Sequence, residues 1–376
     1  MPIAQPILGL HGCVVNGGTL LLEKAVGLGS YGKVYYGVET DSAVQSRRSS
    51  WASSASASPS SSSSPPKPKV YAVKSLRRAQ AFQDDPKLYE HERKLHSSVS
   101  DHPNIVTLHD TFIEQGHMFF VLDMHVHDTM LAAVLDGMYQ HNTPLIKQTF
   151  AQLVDAILFC HRKGVYHRNI KPDHILVDYW GGNPCLTDFG MATSDVVSHQ
   201  LGVGTAPYMA PESFDNGVGG SYRPELSDAW ALGMTLMKVV TNNTPWFSAR
   251  PEADKSFKLF VEGFRHDLCR RLPVSRPLSR LFRGFFRMDP SKRLSLERFN
   301  EGLQRMDDMF MRLDEVDEVV MSVRQQALWV GPGRTNPPPE GSAPPFPLWT
   351  GPPNESCLKA PVMVYLGRMV WFWRKW

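Results

Sequence analysis

The stretch that most constrains the fold is a glycine-rich loop between two β-type segments near the start of the chain. Its glycines are Gly27, Gly29 and Gly32, in the spacing G-x-G-x-x-G-x-V that ends at Val34. Because glycine has no Cβ, such a backbone bends sharply and can lie close over phosphate groups. A dinucleotide-binding unit would need a helix directly after the glycines, whereas the residues from Val34 to Val38 are mostly β-branched or aromatic. The pattern therefore predicts a strand–loop–strand hairpin.

Length and composition exclude several classes of protein. The 376 residues are 42% hydrophobic, which is enough for one large core or two lobes. A net charge of +3 gives no case for a nucleic-acid partner. The five cysteines are scattered without a C-x-x-C pair, which predicts reduced thiols inside a cell, in the cytoplasm or nucleus. The sequence shows no secretory signal and no apolar run near the ~18 residues of a membrane span.

Residues 41–69 interrupt the predicted sheet with serine, alanine and proline. Such a segment cannot bury enough apolar surface to offset its ordering entropy, so we expect a disordered insertion between two strands. Within it, residues 47–50 read R-R-S-S, the pattern of a site for a basic-directed kinase. A solvated linker with incidental charges is the simpler interpretation.

A lysine and its carboxylate partner are predicted after the insertion. Lys74 ends the β-type run Val70-Tyr71-Ala72-Val73-Lys74, and a phosphate-binding lysine in such a strand needs a carboxylate on the following helix. Glu90 and Glu92 are both candidates, and on a helix they point about 200° apart. Glu92 lies on the apolar stripe and Glu90 does not, which favours Glu92. The stripe contains Leu88, Glu92, Leu95 and Val99.

The loop from Tyr166 to Leu176 reads Y-H-R-N-I-K-P-D-H-I-L and follows a segment of helical periodicity from Leu145 to His161. It matches the pattern H-R-D-x-K-x-x-N at its histidine, arginine and lysine. Asn169 stands at the position of the aspartate, and His174 stands at the position of the final asparagine.

Four further motifs follow in order along the chain. They are D-F-G at 188–190, G-T-x-x-Y-M-A-P-E at 204–212, D-x-W-x-L-G at 228–233 and D-P-x-x-R at 289–293. Together with the glycine loop, the lysine strand and the H-P-N-I-V turn at 102–106, they resemble eukaryotic protein kinase domains of the serine/threonine type. Two short runs are also similar to fungal serine/threonine kinases that control meiosis and nutrient responses.

The resemblance covers about 19–305 and implies an α+β, bilobal protein-kinase-like fold. A small antiparallel β N-lobe with one main helix would extend to about 124. A larger, mostly helical C-lobe would begin at about 126. An N-terminal extension over 1–18 would precede this domain, and a helical extension over 306–330 would follow it.

The resemblance also implies a site for ATP and Mg²⁺, with a protein substrate or partner that the sequence does not identify. Leu122 would be the gatekeeper before the hinge. Asp188 would hold one Mg²⁺, whereas His174 puts the second metal position in question, because imidazole suits softer ions. Glu212 and Arg293 would form a buried structural ion pair. The implied ATP-binding residues are Gly27, Gly29, Gly32, Val34, Ala72, Lys74, Glu92, Asp123 and His125, and the implied catalytic residues are Asn169, Lys171, Arg168 and Thr205.

The two altered positions bear on the chemistry of phosphoryl transfer, which needs positioned phosphates, metal charge and an oriented nucleophile. Asn169 can hydrogen-bond a substrate hydroxyl but cannot accept its proton, and loss of a general base costs ~10²- to 10⁴-fold in rate. Asp173 and Asp178 are conceivable replacements. The sequence therefore favours a pseudokinase that binds ATP and acts through partner contacts, and the alternative is an active but slow serine/threonine kinase.

Two regions carry regulatory hypotheses. Thr193, Ser194 and Ser198 lie in the activation segment, where Arg168 could receive a phosphate. Residues 331–376 read as a Pro-rich linker and an aromatic, basic tail. The tail allows attachment to a membrane surface, and packing on the domain or no role is the simpler interpretation.

Overall fold

The computed structural model places a β-sheet lobe before a helical lobe, as the α+β bilobal prediction requires. The residues that it describes are 9–28, 32–46, 67–77, 86–125, 128–215, 217, 219–262 and 272–311. The predicted glycine Gly29, most of the Ser-rich insertion and the chain after 311 lie outside the described residues.

The N-lobe sheet is antiparallel throughout, with the strand order β1-β2-β3-β4-β6-β5. Alternating side chains divide it into two apolar faces, since successive residues of a strand point to opposite sides. One face buries Tyr35, Val73 and Phe119, and the other buries Phe120 and Leu122. The strands are β1 Val14–Val15, β2 Leu20–Leu28, β3 Lys33–Glu39, β4 Val70–Arg77, β5 Leu108–Glu114 and β6 His117–Asp123.

Two helices belong to this lobe: α1 over 41–46 and α2 at Pro86–Val99. Helix α2 packs on the second face of the sheet, where the ring of Tyr89 meets Phe120 edge to face at 5.5 Å. Its inward stripe buries Leu95 and Val99, as the sequence periodicity predicts. This packing turns Glu92 towards β4.

The C-lobe is organised around α5, which is buried on nearly every side. Its Trp230 lies among aromatic rings from three other segments, including Trp246 and Phe286. Polar caps begin several of the surrounding helices; for example, the Asn142 side chain accepts a hydrogen bond from Leu145 N at the start of α4. The helices are α3 Met130–Leu135, α4 Thr143–Arg162, α5 Pro224–Thr241, α6 Lys255–Glu262, α7 Arg276–Phe285 and α8 Leu296–Gln304.

A two-stranded hairpin lies where the two lobes meet. Strand β7 (Ile175–Leu176) pairs with β8 (Cys185–Leu186), as predicted. The Asp178 carboxylate accepts hydrogen bonds from the backbone N–H groups of Trp180 and Gly182, which closes the turn. The hairpin connects the loop of Asn169 to the D-F-G segment.

Three predicted boundaries need correction. Val14–Val15 form β1, so part of the predicted extension over 1–18 belongs to the sheet. The predicted disordered insertion is ordered at its start, because 41–46 are helical and Val44 is buried. Helix α8 ends at Gln304, and 306–311 are not helical; Met309 and Phe310 pack into the C-lobe core. Burial of these apolar side chains overrides the helical pattern that was read from the sequence.

Among the described helices, none has both the length and the apolar character that a membrane crossing requires. Cys13, Cys160 and Cys185 are free thiols, and the other two cysteines lie outside the described residues.

Candidate active site

A lysine held between two carboxylates forms the centre of the site. Lys74 Nζ on β4 lies 3.0 Å from Glu92 Oε1 on α2 and 2.8 Å from Asp188 Oδ1 of the D-F-G segment. Glu90 instead pairs with Arg93 on the exposed surface of the helix. The prediction of Glu92 over Glu90 is therefore confirmed, and the three charges join both lobes.

The charges of this cluster stabilise one another. Burial alone would lower the pKa of Lys74, but Asp188 and then Glu92 raise it above its ordinary value. Burial opposes ionisation of Asp188, yet the Lys74 ammonium holds the pKa of this carboxyl well below its usual range. Lys74 and Asp188 are therefore charged at neutral pH, and removal of the lysine would leave two carboxylates facing each other.

The strands place the other predicted nucleotide residues around this cluster. Val34 on β3 lies opposite Lys74, and Ala72 lies opposite Leu122 on β6. Gly27 pairs with Val34, and Asp123 ends β6, with its carboxylate against the His109 ring. His125 lies two residues beyond the end of β6.

Gly32 is required where the hairpin approaches the neighbouring strand. A Cβ at this position would lie 2.2 Å from the carbonyl oxygen of Ser75. No side chain fits there without displacement of the backbone. Steric exclusion alone therefore explains why this position is a glycine, independently of any ligand.

Asp228 on α5 anchors the loop that contains Asn169 by hydrogen bonds to its backbone. Its buried carboxylate accepts hydrogen bonds from His167 N at 2.8 Å, Arg168 N at 2.7 Å and His161 Nε2 at 3.0 Å. Arg168 adopts a positive φ of 62°, and these bonds stabilise it there. The sequence placed Asp228 in a helix motif but did not assign it this positioning role.

Asn169 is held in place by Thr205 of the activation segment. The Thr205 hydroxyl donates to Asn169 Oδ1 at 2.8 Å, and Asn169 is 6% exposed. This brings together two of the predicted catalytic residues. The amide is fixed but is not a proton acceptor.

The two acids considered as replacement bases have different surroundings. Both oxygens of Asp178 accept hydrogen bonds within the β7–β8 turn. The carboxylate of Asp178 is therefore occupied within its own turn. Burial raises the pKa of Tyr208, and the charge of Asp173 adds to this increase. Burial lowers the pKa of Lys238 on α5, and the charge of Asp173 opposes this decrease. Burial lowers the pKa of His174, and the nearby charge of Lys171 lowers it further.

His174 faces the D-F-G aspartate. Its Nδ1 lies 3.0 Å from the carbonyl oxygen of Asn169, and its Nε2 lies 3.3 Å from Asp188 Oδ2. Burial lowers the pKa of His174 to about 4, although the Asp188 charge opposes this. The imidazole is therefore neutral near pH 7.

These groups decide how well Mg²⁺ fits. The carboxylate of Asp188 is the hard oxygen ligand that Mg²⁺ prefers. The imidazole of His174 is a nitrogen ligand that suits first-row transition ions better. The chain's donors therefore fit Mg²⁺ at one position and fit it poorly at the other.

The D-F-G phenylalanine is enclosed by two histidines. The ring of Phe189 lies 4.6 Å from His96 on α2 and 4.9 Å from His167, measured between centroids. His96 also bonds the Val106 carbonyl through Nε2 at 2.7 Å, and burial lowers its pKa to about 4. No sequence pattern indicates this contact beyond the position of His96 one turn after Glu92.

The activation segment packs closely around Arg168. Its guanidinium donates to Met191 O at 2.6 Å and to Gln200 Oε1 at 2.9 Å. Thr193 and Ser198 are buried, whereas Ser194 is exposed. Of the three hydroxyls considered for phosphorylation, only Ser194 is accessible in this conformation.

The predicted structural ion pair is confirmed. Arg293 donates to both oxygens of Glu212, at 2.6 and 2.7 Å, and its side chain is 1% exposed. It also lies over the Trp230 ring and bonds the Leu226 carbonyl. The pair anchors the end of the activation segment to α5.

Comparison with known proteins agrees with this geometry. Residues 62–303 match the family model described as the protein kinase domain. The chain is 30% identical over 264 residues to the "Negative regulator of sexual conjugation and meiosis" of Schizosaccharomyces pombe, covering 65% of this chain and 56% of that protein. It is 31% identical over 219 residues to serine/threonine-protein kinase VHS1 of Saccharomyces cerevisiae, covering 55% and 47%.

A third yeast relative is serine/threonine-protein kinase SKS1 of Saccharomyces cerevisiae. The identity is 31% over 212 residues, covering 53% of this chain and 42% of that protein. The predicted similarity to fungal serine/threonine kinases is thus confirmed. The chain spans about half the length of the curated relatives it matches.

Proposed function

Because the chain belongs to the protein kinase family, in its serine/threonine branch, we propose that it binds ATP with a divalent ion and acts mainly through partner contacts. Phosphotransfer would be impaired or absent. The observation that carries this proposal is the contrast between an intact Lys74–Glu92–Asp188 cluster and an amide at Asn169.

Nucleotide binding is supported by the charges of the cluster. Lys74 is positioned to meet phosphate oxygens, because Glu92 and Asp188 hold its ammonium on β4, opposite Val34, which follows the glycine loop on β3. The Phe189 ring is buried, which keeps Asp188 turned towards Lys74. When a metal ion is bound, Asp188 would hold it, and the ion would supply charge to the phosphates.

Impaired transfer is supported by the protonation chemistry of the loop. A side-chain amide does not take up the proton of a substrate hydroxyl, and Thr205 already occupies Asn169 Oδ1. The loss corresponds to ~10²- to 10⁴-fold in rate. A partner-binding role does not depend on this proton.

An active but slow kinase is the second candidate. Asn169 and Lys171 keep the positions of the catalytic loop, and a loose transition state depends more on phosphate charge than on proton removal. This candidate acts on a serine or threonine of a protein substrate. The three free thiols Cys13, Cys160 and Cys185 support a reducing, intracellular setting for either candidate.

Nucleotide binding is tested by thermal unfolding of the full chain with and without MgATP. We expect MgATP to raise the melting temperature, and we expect Lys74→Met to reduce that increase strongly. Lys255→Met on α6 is the matched control, because Lys255 is exposed and far along the chain from the cluster. No increase with any nucleotide or metal ion would refute the proposal.

Impaired phosphotransfer is tested by turnover. Wild-type protein with MgATP should transfer phosphate to itself or to a generic protein substrate far more slowly than an ordinary kinase. A rate of ~1 s⁻¹ lies within the usual range of kinases. Such a rate would show that the chain is an ordinary active kinase and would overturn the pseudokinase proposal.

A further inference from the structure

The outer side of helix α7 carries three arginines in one line, which we call the arginine face of α7. Arg276, Arg280 and Arg283 are spaced i, i+4 and i+7, and a turn of about 100° per residue places them within a sector of about 60°. Arg276 and Arg280 are exposed, and Arg283 is half-buried. The opposite side of the helix is apolar and packs in the C-lobe core, through Leu278, Leu281, Phe282 and Phe285.

The charges of the arginine face oppose one another and the dipole of the helix. Like charges at i, i+4 on a helix repel, as Arg276 and Arg280 do. Arg276 is also the first residue of α7, and the first turn contains no acidic residue. The macrodipole puts partial positive charge at this end, which an anion complements. An acidic segment beside this end would offset both the arginine charges and the dipole.

The chain beyond α8 returns to this end of α7. Met311 N donates to Pro273 O at 3.3 Å, and Met309 O accepts from Ser275 N at 2.9 Å. The two segments therefore run antiparallel, and Ser275 is also the N-cap of α7. Met311 is the last described residue of the chain. The residues that follow it thus start close to Arg276 in space.

Those residues are strongly acidic. Residues 314–318 read D-E-V-D-E, and only two residues separate them from Met311; they lie outside the described residues. Five extended residues span about 17 Å, whereas Arg276 and Arg283 are about 10 Å apart along the helix axis. Helical side chains tilt towards the N-terminus, which favours an approach from the side of Met311. The acidic run is therefore long enough to reach the arginine face and to cover it.

We propose that the arginine face of α7 is a docking surface for the acidic segment 314–318 of the same chain. Opposite charge and a two-residue connection carry the inference, because so short a tether keeps the segment at a high effective concentration beside the helix. Docking holds the start of the C-terminal extension against the C-lobe. The surface uses none of the residues of the nucleotide site, so it does not depend on ATP binding or on phosphotransfer.

Zero-length carbodiimide cross-linking of the full chain tests the contact. Arg280→Lys keeps the positive charge and introduces an amine, which forms an amide only with a carboxylate in contact. We expect mass spectrometry of the monomer to find this amide to 314–318, and we expect 1 M NaCl to suppress it, because salt screens exposed charges. Arg223→Lys is the matched control: Arg223 is exposed, pairs with Glu225 at the start of α5, and should not join 314–318.

Two results of this experiment would overturn the proposal. One is the absence of a cross-link to 314–318 in both Arg280→Lys and Arg276→Lys. The other is a cross-link found only in the dimer band and lost on dilution, which would make the occupant a second copy of the chain.

Digestion by an endoproteinase that cleaves after glutamate gives a second readout. We expect cleavage after Glu315 and Glu318 to be at least ~10-fold slower in wild type than in Arg276→Glu combined with Arg280→Glu, because only the undocked segment is cleaved. Arg223→Glu should be as slow as wild type. Cleavage after Glu301, inside α8, reports any loss of the fold in the same digest.

Equal cleavage of wild type and the double variant would reject docking on this face. Wild type is then mixed with phosphatidylserine vesicles. Binding that the double variant loses would assign the arginine face to an anionic lipid surface instead, and the proposal would fail. If the double variant does not fold, the cross-linking result decides, since the lysine variants keep the charge.

Discussion

The two halves of the active site differ in what holds their residues in place. On the phosphate side, Lys74, Glu92 and Asp188 are charged, largely buried groups that depend on one another. On the transfer side, Asn169 and His174 are neutral and form hydrogen bonds with their immediate neighbours. Replacement of one residue in the first half would leave a buried charge without its partner. A neutral residue in the second half can form its hydrogen bonds without a charged partner.

This difference explains how the residues at 169 and 174 can depart from the kinase motif while the fold is kept. The amide of Asn169 satisfies the Thr205 hydroxyl, and the ring of His174 satisfies the carbonyl of Asn169. Neither position needs a charge for packing. The loop itself is held by the Asp228 carboxylate, which accepts hydrogen bonds from backbone N–H groups. These bonds do not depend on which side chain stands at position 169.

The largest expected effect comes from restoring the transfer half. Asn169→Asp combined with His174→Asn should raise phosphotransfer with MgATP by at least ~10²-fold, because it returns a proton acceptor and an oxygen ligand. Autophosphorylation rates of wild type and the double variant measure this. The gain should vanish when Lys74→Met is added. A double variant as slow as wild type would show that the transfer half is not what limits the rate.

A change in the framework shared by both halves comes next. Arg293→Ala should lower the free energy of unfolding by about 3 kcal/mol, because Glu212 would lose its partner in a site that is mostly buried. Urea denaturation of the full chain measures the loss. In the control variant Arg223→Ala, the exposed pair with Glu225 is broken, and a change below about 1 kcal/mol is expected. Similar losses in both variants would contradict the structural role of the Glu212 pair.

The histidine that packs on Phe189 should make stability depend on pH. The pKa of His96 is about 4 in the folded chain, below the ordinary value of about 6.5, so the unfolded chain binds more protons between these values. The contribution is therefore present above about pH 6.5 and is lost as pH falls towards 4, by up to about 3 kcal/mol. Other buried histidines act in the same window.

Denaturation of His96→Leu at pH 4.5 and pH 7 checks this expectation. The difference in unfolding free energy between the two pH values should be smaller in the variant than in wild type. His199→Asn, at an exposed position, should keep the wild-type difference. An unchanged difference in His96→Leu would remove His96 as its source.

The smallest expected effect concerns the hydrogen bond that fixes the amide. Thr205→Val should cost about 1 kcal/mol of stability, because Asn169 Oδ1 loses its donor. ATP affinity should stay at the wild-type value, since the cluster around Lys74 is untouched. A loss of ATP affinity as large as that of Lys74→Met would mean that the two halves are coupled rather than separate.

Short motifs were enough to predict the family, the order of the elements and most of the site. The stripe of apolar residues on α2 selected Glu92, because helical geometry relates sequence spacing to direction. The residues of the D-P-x-x-R and A-P-E motifs likewise predicted the Glu212–Arg293 pair. In such cases local periodicity or a motif carries the information.

Tertiary structure alone decided the contacts between segments that are distant in the chain. Burial of Met309 and Phe310 turned the end of the domain away from a helix, and pairing with β2 drew Val14–Val15 into the sheet. The approach of His174 to Asp188 also depends on how the β7–β8 hairpin folds back. Sequence spacing determines which face of one element a residue occupies, whereas burial and pairing between elements determine which atoms it meets.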